Sequence, residues 1–487
     1  MHNTLTADLR ASPNADMAAE DVSRSSTNLS VHPSADPSIN SSADLAARSL
    51  RSVWHPCTPM KRAQHSPPMA IARGTGPWLI DTQNRRYFDA ISSWWVNLFG
   101  HADPAINAAL CQQLQILPHV MLAGCTHESA VVVAEKLSAR TGGVLGHAFY
   151  GSDGASAVEI ALKMSFHSWR NRGCERKREF ICIQNGYHGE TLGALAVTDV
   201  AVFRDAYDPL LMRAHIAESP DLRSALPGET AHHVTTRALA GLRALLESRQ
   251  GQVAAVILEP LVQCAAGMAM HEPAYLRGVR ALCDEFTVHL IADEIAVGCG
   301  RTGSFFAFEQ ATQAGQPPIW PDFITLSKGI TGGYLPLSVV LARDEIFQAF
   351  WDDSAARSFL HSHSYSGNPL ACRAAQTVLE RFEQCDVLQA NAHLSAPLNA
   401  VWAGLQADPR LQHLRQRGMI WAFDVRPEYA GADFAERFHQ AGRRHELLIR
   451  PIGRTVYLMP PYLLDTTHYA WLGARVLATL EDVLCAA

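Results

Sequence analysis

Between about residues 145 and 345, short apolar runs recur with polar, helix-period stretches between them: HAFYG, FICIQ, VAAVILEP, VHLIADEI, DFITLS and LSVVLA. Runs this short, apolar throughout and bounded by turn residues, read as strands buried on both faces. Alternating with helices, they predict an α/β core, a mostly parallel sheet covered on both sides. Pro273 to Phe286 shows the helical partner, with Tyr275, Val279, Leu282 and Phe286 at helical spacing and proline near the start, where its missing N–H is harmless. The ends of the chain pattern differently. Residues 74–93 read as a hairpin running into a loop, RGMIWAFDV and LLIRPIGRTVYLMPPY as strands broken by turns, and Thr466 to Leu484 as a helix opened by a threonine cap.

This pattern divides the chain into a large domain over residues 101–369 and a smaller α+β domain assembled from residues 46–100 and 370–487. Residues 1–45 are rich in Ser, Ala, Asn and Asp and nearly free of aromatics, which predicts a disordered extension. The extension lacks the apolar segment of a secretory signal, and Asp8, Asp16, Glu20 and Asp21 against Arg10 and Arg24 argue against an organellar transit peptide. No internal repeat is present.

Composition narrows the partners. The 487 residues carry 41 basic and 47 acidic side chains, a net charge of −6, with no long Lys/Arg run. Nucleic acid and anionic membrane are therefore poor targets, and small molecules are the expected partners. No apolar run approaches the roughly 18–20 residues that span a bilayer. Eleven scattered cysteines without a C-x-x-C pair fit neither a disulfide framework nor a zinc site, so a reducing cytoplasm is the expected compartment.

Chemistry concentrates at the predicted strand ends. Lys328 follows DFITLS and precedes Gly329, Gly332 and Gly333. A lysine there suits a solvated turn, but a desolvated amine at the same place could form a Schiff base if partners exist elsewhere. It lacks the G-x-x-x-x-G-K of a phosphate loop. Asp293 ends the run LIAD, where open α/β sheets bind ligands. It could cap a loop, or, if buried, it needs a cation such as a protonated pyridine nitrogen. The turn Gly151–Gly154 leads from a strand into an Ala/Glu/Leu-rich helix, whose N-terminal N–H groups can accept phosphate. Tyr187 and His188 lie just beyond FICIQ, where an aromatic ring either packs or stacks on a flat ligand. The alternating histidines of LHSHSYSGNP have no acidic or cysteine neighbours at metal-ligand spacing, so no metal is expected.

Together, DEIAVGCGRTG, PDFITLSKGITGGYLP, GYHGE and HSYSGNPLA resemble the class III pyridoxal-phosphate aminotransferases from about residue 50 to the C-terminus. The resemblance implies fold type I, with a mostly parallel seven-stranded sheet in the large domain, and pyridoxal 5'-phosphate as cofactor. It makes Lys328 the Schiff-base lysine, Asp293 the partner of the pyridinium nitrogen, and Gly154 and Ala155 phosphate ligands. Tyr187 would serve catalysis, cofactor binding and substrate binding alike. Ser364 would offer its hydroxyl to a neighbouring subunit's phosphate, so a homodimer with shared sites is implied, and His363 would also bind the cofactor. WHPCTPM, DAISSWWVNLFGH and RPIGRTVYLMPPY are similar to the branch that converts 8-amino-7-oxononanoate to 7,8-diaminononanoate for biotin synthesis, with S-adenosylmethionine or lysine as donor. General aminotransferases of ω-amino acids and diamines are the alternative. Trp94, Ser362 and Arg450 would line the substrate pocket, with Cys57, Arg301 and Tyr457 as further candidates. Two departures stand out: Ala155 replaces a serine common in relatives, and Cys57 an aromatic residue usual in this branch. The stretch ATQAGQPPIWPD reads as an inserted surface loop.

Overall fold

A computed structural model of the chain describes residues 42–485. The predicted disordered extension thus lies almost wholly outside the described residues. The chain divides into two compact units, Met1–Pro67 and Pro68–Ala487. The described part of the first holds a helix at Ser42–Ser52 and a single turn at Met60–Ala63. The second contains all the sheets.

Its centre is a seven-stranded sheet. The strands are β1 (His147–Gly151), β2 (Glu179–Ile183), β3 (His215–Ala217), β4 (Val253–Leu258), β5 (His289–Asp293), β6 (Phe323–Leu326) and β7 (Ser338–Ala342), in the spatial order β1-β7-β6-β5-β4-β2-β3. All neighbours pair in parallel except β7, which runs antiparallel to both β6 and β1. Every residue of β4, β5, β6 and β7 is buried, as expected of strands with helices on both faces. The apolar runs predicted six of these strands; β3 is a three-residue edge strand too short to carry the signal.

Two helices matter for the site. Helix α1 (Gly154–Asn171) follows β1 after a turn, and Asp153 caps it by accepting the Ser156 N–H at 2.9 Å. Helix α2 (Pro273–Glu285) has proline in its first turn, as its spacing predicts, and buries Tyr275, Val279 and Leu282. The C-terminal helix spans the predicted Thr466–Leu484, but its cap is Asp465, whose carboxylate accepts the His468 N–H at 2.8 Å. Thr466 is already inside the helix, and the expected threonine cap is corrected to aspartate.

Both ends of the second unit meet in one small sheet. Ile71–Thr75, Trp78–Asp81 and Arg86–Asp89 form an antiparallel meander, and Leu447–Leu448 joins it parallel to Arg86–Asp89. A second sheet links Leu411–Arg417, Ile420–Val425 and Thr455–Leu458. These elements bring residues 89–101 and 450–462 to the ends of the central strands: the Met459 N–H bonds to the Ala90 carbonyl and the Tyr462 N–H to the Leu98 carbonyl. In the insertion, residues 313–318 are exposed, and Arg343 fastens its far end through the carbonyls of Trp320 and Pro321.

Candidate active site

Asp293 and Lys328 leave neighbouring parallel strands at the same end of the sheet, with Asp293 opposite Thr325 in the ladder. The Asp293 carboxylate is buried and accepts three hydrogen bonds: from the Ile295 N–H at 3.0 Å, the Thr325 hydroxyl at 3.4 Å and His188 Nδ1 at 2.7 Å. Among the described residues no lysine or arginine pairs with it within ion-pair distance. The other nitrogen of His188, Nε2, is buried without a partner.

Lys328 keeps a partly open surface, yet the protein crowding its amine pushes the pKa below the ordinary lysine value, and the charge of Asp293 only partly offsets this. Its backbone φ is +43°, in the left-handed region. The glycines that follow explain why the chain can turn here. Gly333 has φ +85° and lies so close to the backbone of Asn97 that a Cβ would sit 3.0 Å from it.

That close neighbour belongs to an unusual segment. Ser92, Ser93, Trp94 and Trp95 all have positive φ, between 46° and 74°, making one left-handed turn without a glycine. Such backbone is disfavoured by about 1–2 kcal/mol per residue. The turn delivers two indoles. Trp95 is buried, donates from Nε1 to the Tyr457 hydroxyl at 3.1 Å, and has the Lys328 amine 5.4 Å from its ring centre. Trp94 is 45 % exposed, and the Arg450 guanidinium carbon lies 5.7 Å from its ring centre. Tyr457 thus stands behind Trp95, fully buried, with its phenol pKa raised by burial.

Tyr187 is half-buried beside the Phe203 ring, and its hydroxyl donates to Glu190 at 2.9 Å. Its N–H donates to Glu259, which also accepts the Cys264 N–H, both at 3.0 Å. Burial pushes the Glu259 carboxyl up to about 7, while nearby His188 pulls it down. At the start of α1, the Gly154 and Ala155 N–H groups have no carbonyl of their own helix to donate to. Gly189, at φ +124°, packs so tightly on Ala155 that a Cβ there would sit 2.6 Å from the alanine methyl.

Arg301 is fully buried and spends its guanidinium on two carbonyls, Asn97 at 3.0 Å and Pro460 at 2.6 Å, stacked 4.8 Å from the Tyr462 ring centre. It braces the segments bearing Trp94 and Arg450, a different position from the pocket lining expected of it. Ser362 and Ser364 are exposed on a loop where His361 contacts Lys163 of α1 at 2.8 Å and the rings of His361 and His363 meet edge to face at 4.9 Å. No hydrogen bond or ion pair joins this loop to Lys328 or Asp293 among the described residues. Cys57 belongs to the first unit, exposed, with φ +49°. Among the described residues no group of three or more His, Cys, Asp or Glu is placed to hold a metal, and no helix is long and apolar enough to cross a membrane.

The sequence matches the class III aminotransferase family over residues 60–480. The chain belongs to that family. Relatives agree: an adenosylmethionine-8-amino-7-oxononanoate aminotransferase of Helicobacter pylori is 39 % identical over 455 residues, covering 91 % of this chain and 99 % of the relative. The enzyme of that name from Geobacter sulfurreducens is 36 % identical, covering 84 % and 91 %. Among solved structures, the Methanocaldococcus jannaschii enzyme of the same name superposes with a TM-score of 0.83 at 30 % identity, over 91 % of this chain and all of that one. An omega transaminase from Pseudomonas jessenii, solved in complex with PMP, gives 0.85 at 25 % identity over 90 % and 98 %. The central sheet is therefore that of a fold type I class III aminotransferase, and the chain is a pyridoxal-phosphate-dependent transferase of amino groups.

Three contributors to this aminotransferase site were not singled out by sequence. Glu259 directly follows the wholly apolar strand β4, much as Asp293 ends β5, so the same signal, an acid closing a buried run, was available for it. Thr325 was hidden inside an apolar strand, where a hydroxyl reads as β-propensity. Trp95 is distinguished from Trp94 only by which side of a left-handed turn each occupies.

Proposed function

We propose that this aminotransferase carries an amino group from S-adenosylmethionine to 8-amino-7-oxononanoate, giving 7,8-diaminononanoate in biotin synthesis. The observation that carries the reading is the pair of consecutive indoles: one faces the Lys328 amine, and the next faces the Arg450 guanidinium. A chain with an amine or ketone at one end and a carboxylate at the other matches that spacing of functions, since the aliphatic part can lie on Trp94 and the carboxylate on the guanidinium. The names of the relatives, at 32–39 % identity over most of the chain, support the same substrate.

The residues present fit pyridoxal phosphate. Asp293 is a buried acid that no lysine or arginine among the described residues pairs with, and the start of α1 offers N–H groups to a phosphate. We assign the ring nitrogen to Asp293, the phosphate to Gly154 and Ala155, the ring face to Tyr187, and the aldehyde carbon to Lys328. His363 and Ser364 are assigned to the phosphate of a second copy, which makes the site a shared one in a homodimer. When bound, the cofactor supplies an electron-accepting ring that lets the hydrogen of an amine-bearing carbon leave as a proton.

The chain's own residues do the rest. Lys328 accepts and returns that proton at Nζ, and its depressed pKa keeps more of the amine neutral than in water. Asp293, fixed by Ile295, Thr325 and His188, holds its carboxylate where the ring nitrogen would meet it. Trp95 covers the lysine, and Arg450 orients the substrate. The test is a donor panel. Purified protein is mixed with S-adenosylmethionine, lysine or a simple ω-amino acid, and the cofactor's absorbance change is followed. Rapid conversion by S-adenosylmethionine alone is expected. Conversion by the ω-amino acid alone would replace this reading with that of a general ω-aminotransferase, and conversion by lysine alone would change the donor.

A further inference from the structure

The left-handed turn Ser92–Trp95 has a fastening that the reaction itself does not call for. Its last residues close as a helix would, with the Trp95 N–H on the Ile91 carbonyl at 2.8 Å and the Val96 N–H on the Ser92 carbonyl at 3.0 Å. Those bonds are available to either hand. Further bonds reach the turn from side chains outside it. Asp89, completely buried at the end of its strand, accepts the Ser93 N–H on Oδ1 at 2.8 Å and the Ser93 hydroxyl on Oδ2 at 2.6 Å. His101 approaches the same Oδ2 through Nε2 at 2.9 Å. The histidine is itself clamped, because its backbone exchanges two hydrogen bonds with Gly76, and its Cβ would lie 2.6 Å from a Cβ on Gly74. The Ser92 hydroxyl adds a bond to the Met459 carbonyl at 2.7 Å.

We propose that Asp89, held by His101, is the positioning residue that keeps Ser92–Trp95 left-handed and thereby sets the Trp94 indole against Arg450 and the Trp95 indole against Lys328. Asp89 touches neither Lys328 nor Arg450. Its effect passes through Ser93, one residue from Trp94. Relaxing the turn to a right-handed one would redirect both indoles at once, because consecutive side chains on a turn move together. Specificity for a carboxylate-ended chain therefore depends on a buried acid outside the pocket. The inference rests on the substrate reading above only for its choice of probe.

The experiment compares the natural holoenzyme with Asp89→Ala and with Asp89→Ala combined with Ser93→Gly. Glycine adopts positive φ without a Cβ clash, so it lowers the need for the fastening. Two readouts are taken: nonanoate affinity by calorimetry, and the near-ultraviolet circular dichroism of the tryptophans, assigned with Trp94→Phe and Trp95→Phe. Far-ultraviolet dichroism checks that each variant is folded. We expect Asp89→Ala to weaken nonanoate binding about tenfold or more and to alter the Trp94 and Trp95 bands. Ser93→Gly in the same chain should recover most of both. A role confined to holding the strand would leave the tryptophan bands alone and would not be rescued by a glycine four residues away. Unchanged bands in folded Asp89→Ala overturn the proposal, as does failure of the glycine to recover them. If Asp89→Ala does not fold, Asp89→Ala with Ser93→Gly decides: a folded chain with the natural tryptophan bands supports the fastening role, and a folded chain with altered bands overturns it. Failure of the substrate reading looks different: the natural enzyme itself does not bind nonanoate, while the tryptophan bands still respond to Asp89.

Discussion

Asp293→Asn isolates the charge of the buried acid from its shape. Asparagine keeps the volume and one carbonyl oxygen, so the Ile295 N–H and Thr325 hydroxyl keep an acceptor on the Oδ1 side. What changes is the atom 2.7 Å from His188 Nδ1. An amide NH2 can donate there only if the imidazole carries its proton on Nε2, which is buried and has no partner. Burying an unpaired N–H costs about 1–3 kcal/mol, and the folded protein should lose stability by about that amount. Activity should fall further, because the ring nitrogen loses its charged partner. Removing one member of a buried pair costs about 3–5 kcal/mol, which at 1.4 kcal/mol per decade slows the first half-reaction by roughly a hundredfold to a few thousandfold. The assay is stopped-flow absorbance with saturating S-adenosylmethionine, alongside the cofactor content of the variant and its unfolding free energy in urea. A variant with full cofactor content and a half-reaction rate within about fivefold of the natural enzyme would refute the role given to Asp293.

Four further outcomes are expected. Lys328→Ala should abolish turnover while leaving the fold intact, and borohydride should fix the cofactor to a Lys328 peptide in the natural protein; fixation on another lysine refutes that assignment. Arg450→Met should raise the KM for 8-amino-7-oxononanoate about a hundredfold, with little change in the rate at which the donor converts the cofactor, since the lost guanidinium contact is a charge-assisted one; equal losses in both would place the arginine elsewhere. Burial raises the Glu259 pKa to about 7, so the folded state holds a proton there that the unfolded state has released, and stability is lost as pH rises from about 4.5 to about 7. Urea unfolding of Glu259→Gln should accordingly lose less stability over that window than the natural protein, and parallel pH curves would show that the acid is already ionised. Mixing inactive Lys328→Ala with an inactivating Ser364 variant should restore some activity, because one of the two shared sites then carries neither defect; no recovery after proven subunit exchange would count against shared sites.

How far the sequence foretold the site follows from what kind of signal each residue leaves. Strands β4 to β7 are buried along their whole length, and that produces apolar runs that cannot be mistaken for an amphipathic surface. The acid at the end of β5 and the lysine after β6 are conspicuous for the same reason, as polar groups closing apolar runs. Direction is not encoded that way: β7 is as buried as the parallel strands β4 to β6, and nothing within VVLA marks it antiparallel. The turn at Ser92–Trp95 left no local trace, because its hand is set by Asp89 and His101, and none of its four residues is Gly or Asn. The family resemblance alone offered Arg301 as a further pocket candidate; in the structure its side chain is buried, and two carbonyls and an aromatic face receive the guanidinium. Asp465 lost the cap to Thr466 by one position, the usual error when two capping residues are adjacent.

The most direct measurement supplies the enzyme with S-adenosylmethionine carrying a heavy-nitrogen label in its amino group, adds 8-amino-7-oxononanoate, and follows the label by mass spectrometry. The account predicts that the label appears in 7,8-diaminononanoate and that Lys328→Ala forms none. Absence of labelled diamine from an enzyme with full cofactor content, while a simple ω-amino acid is readily deaminated, would contradict it.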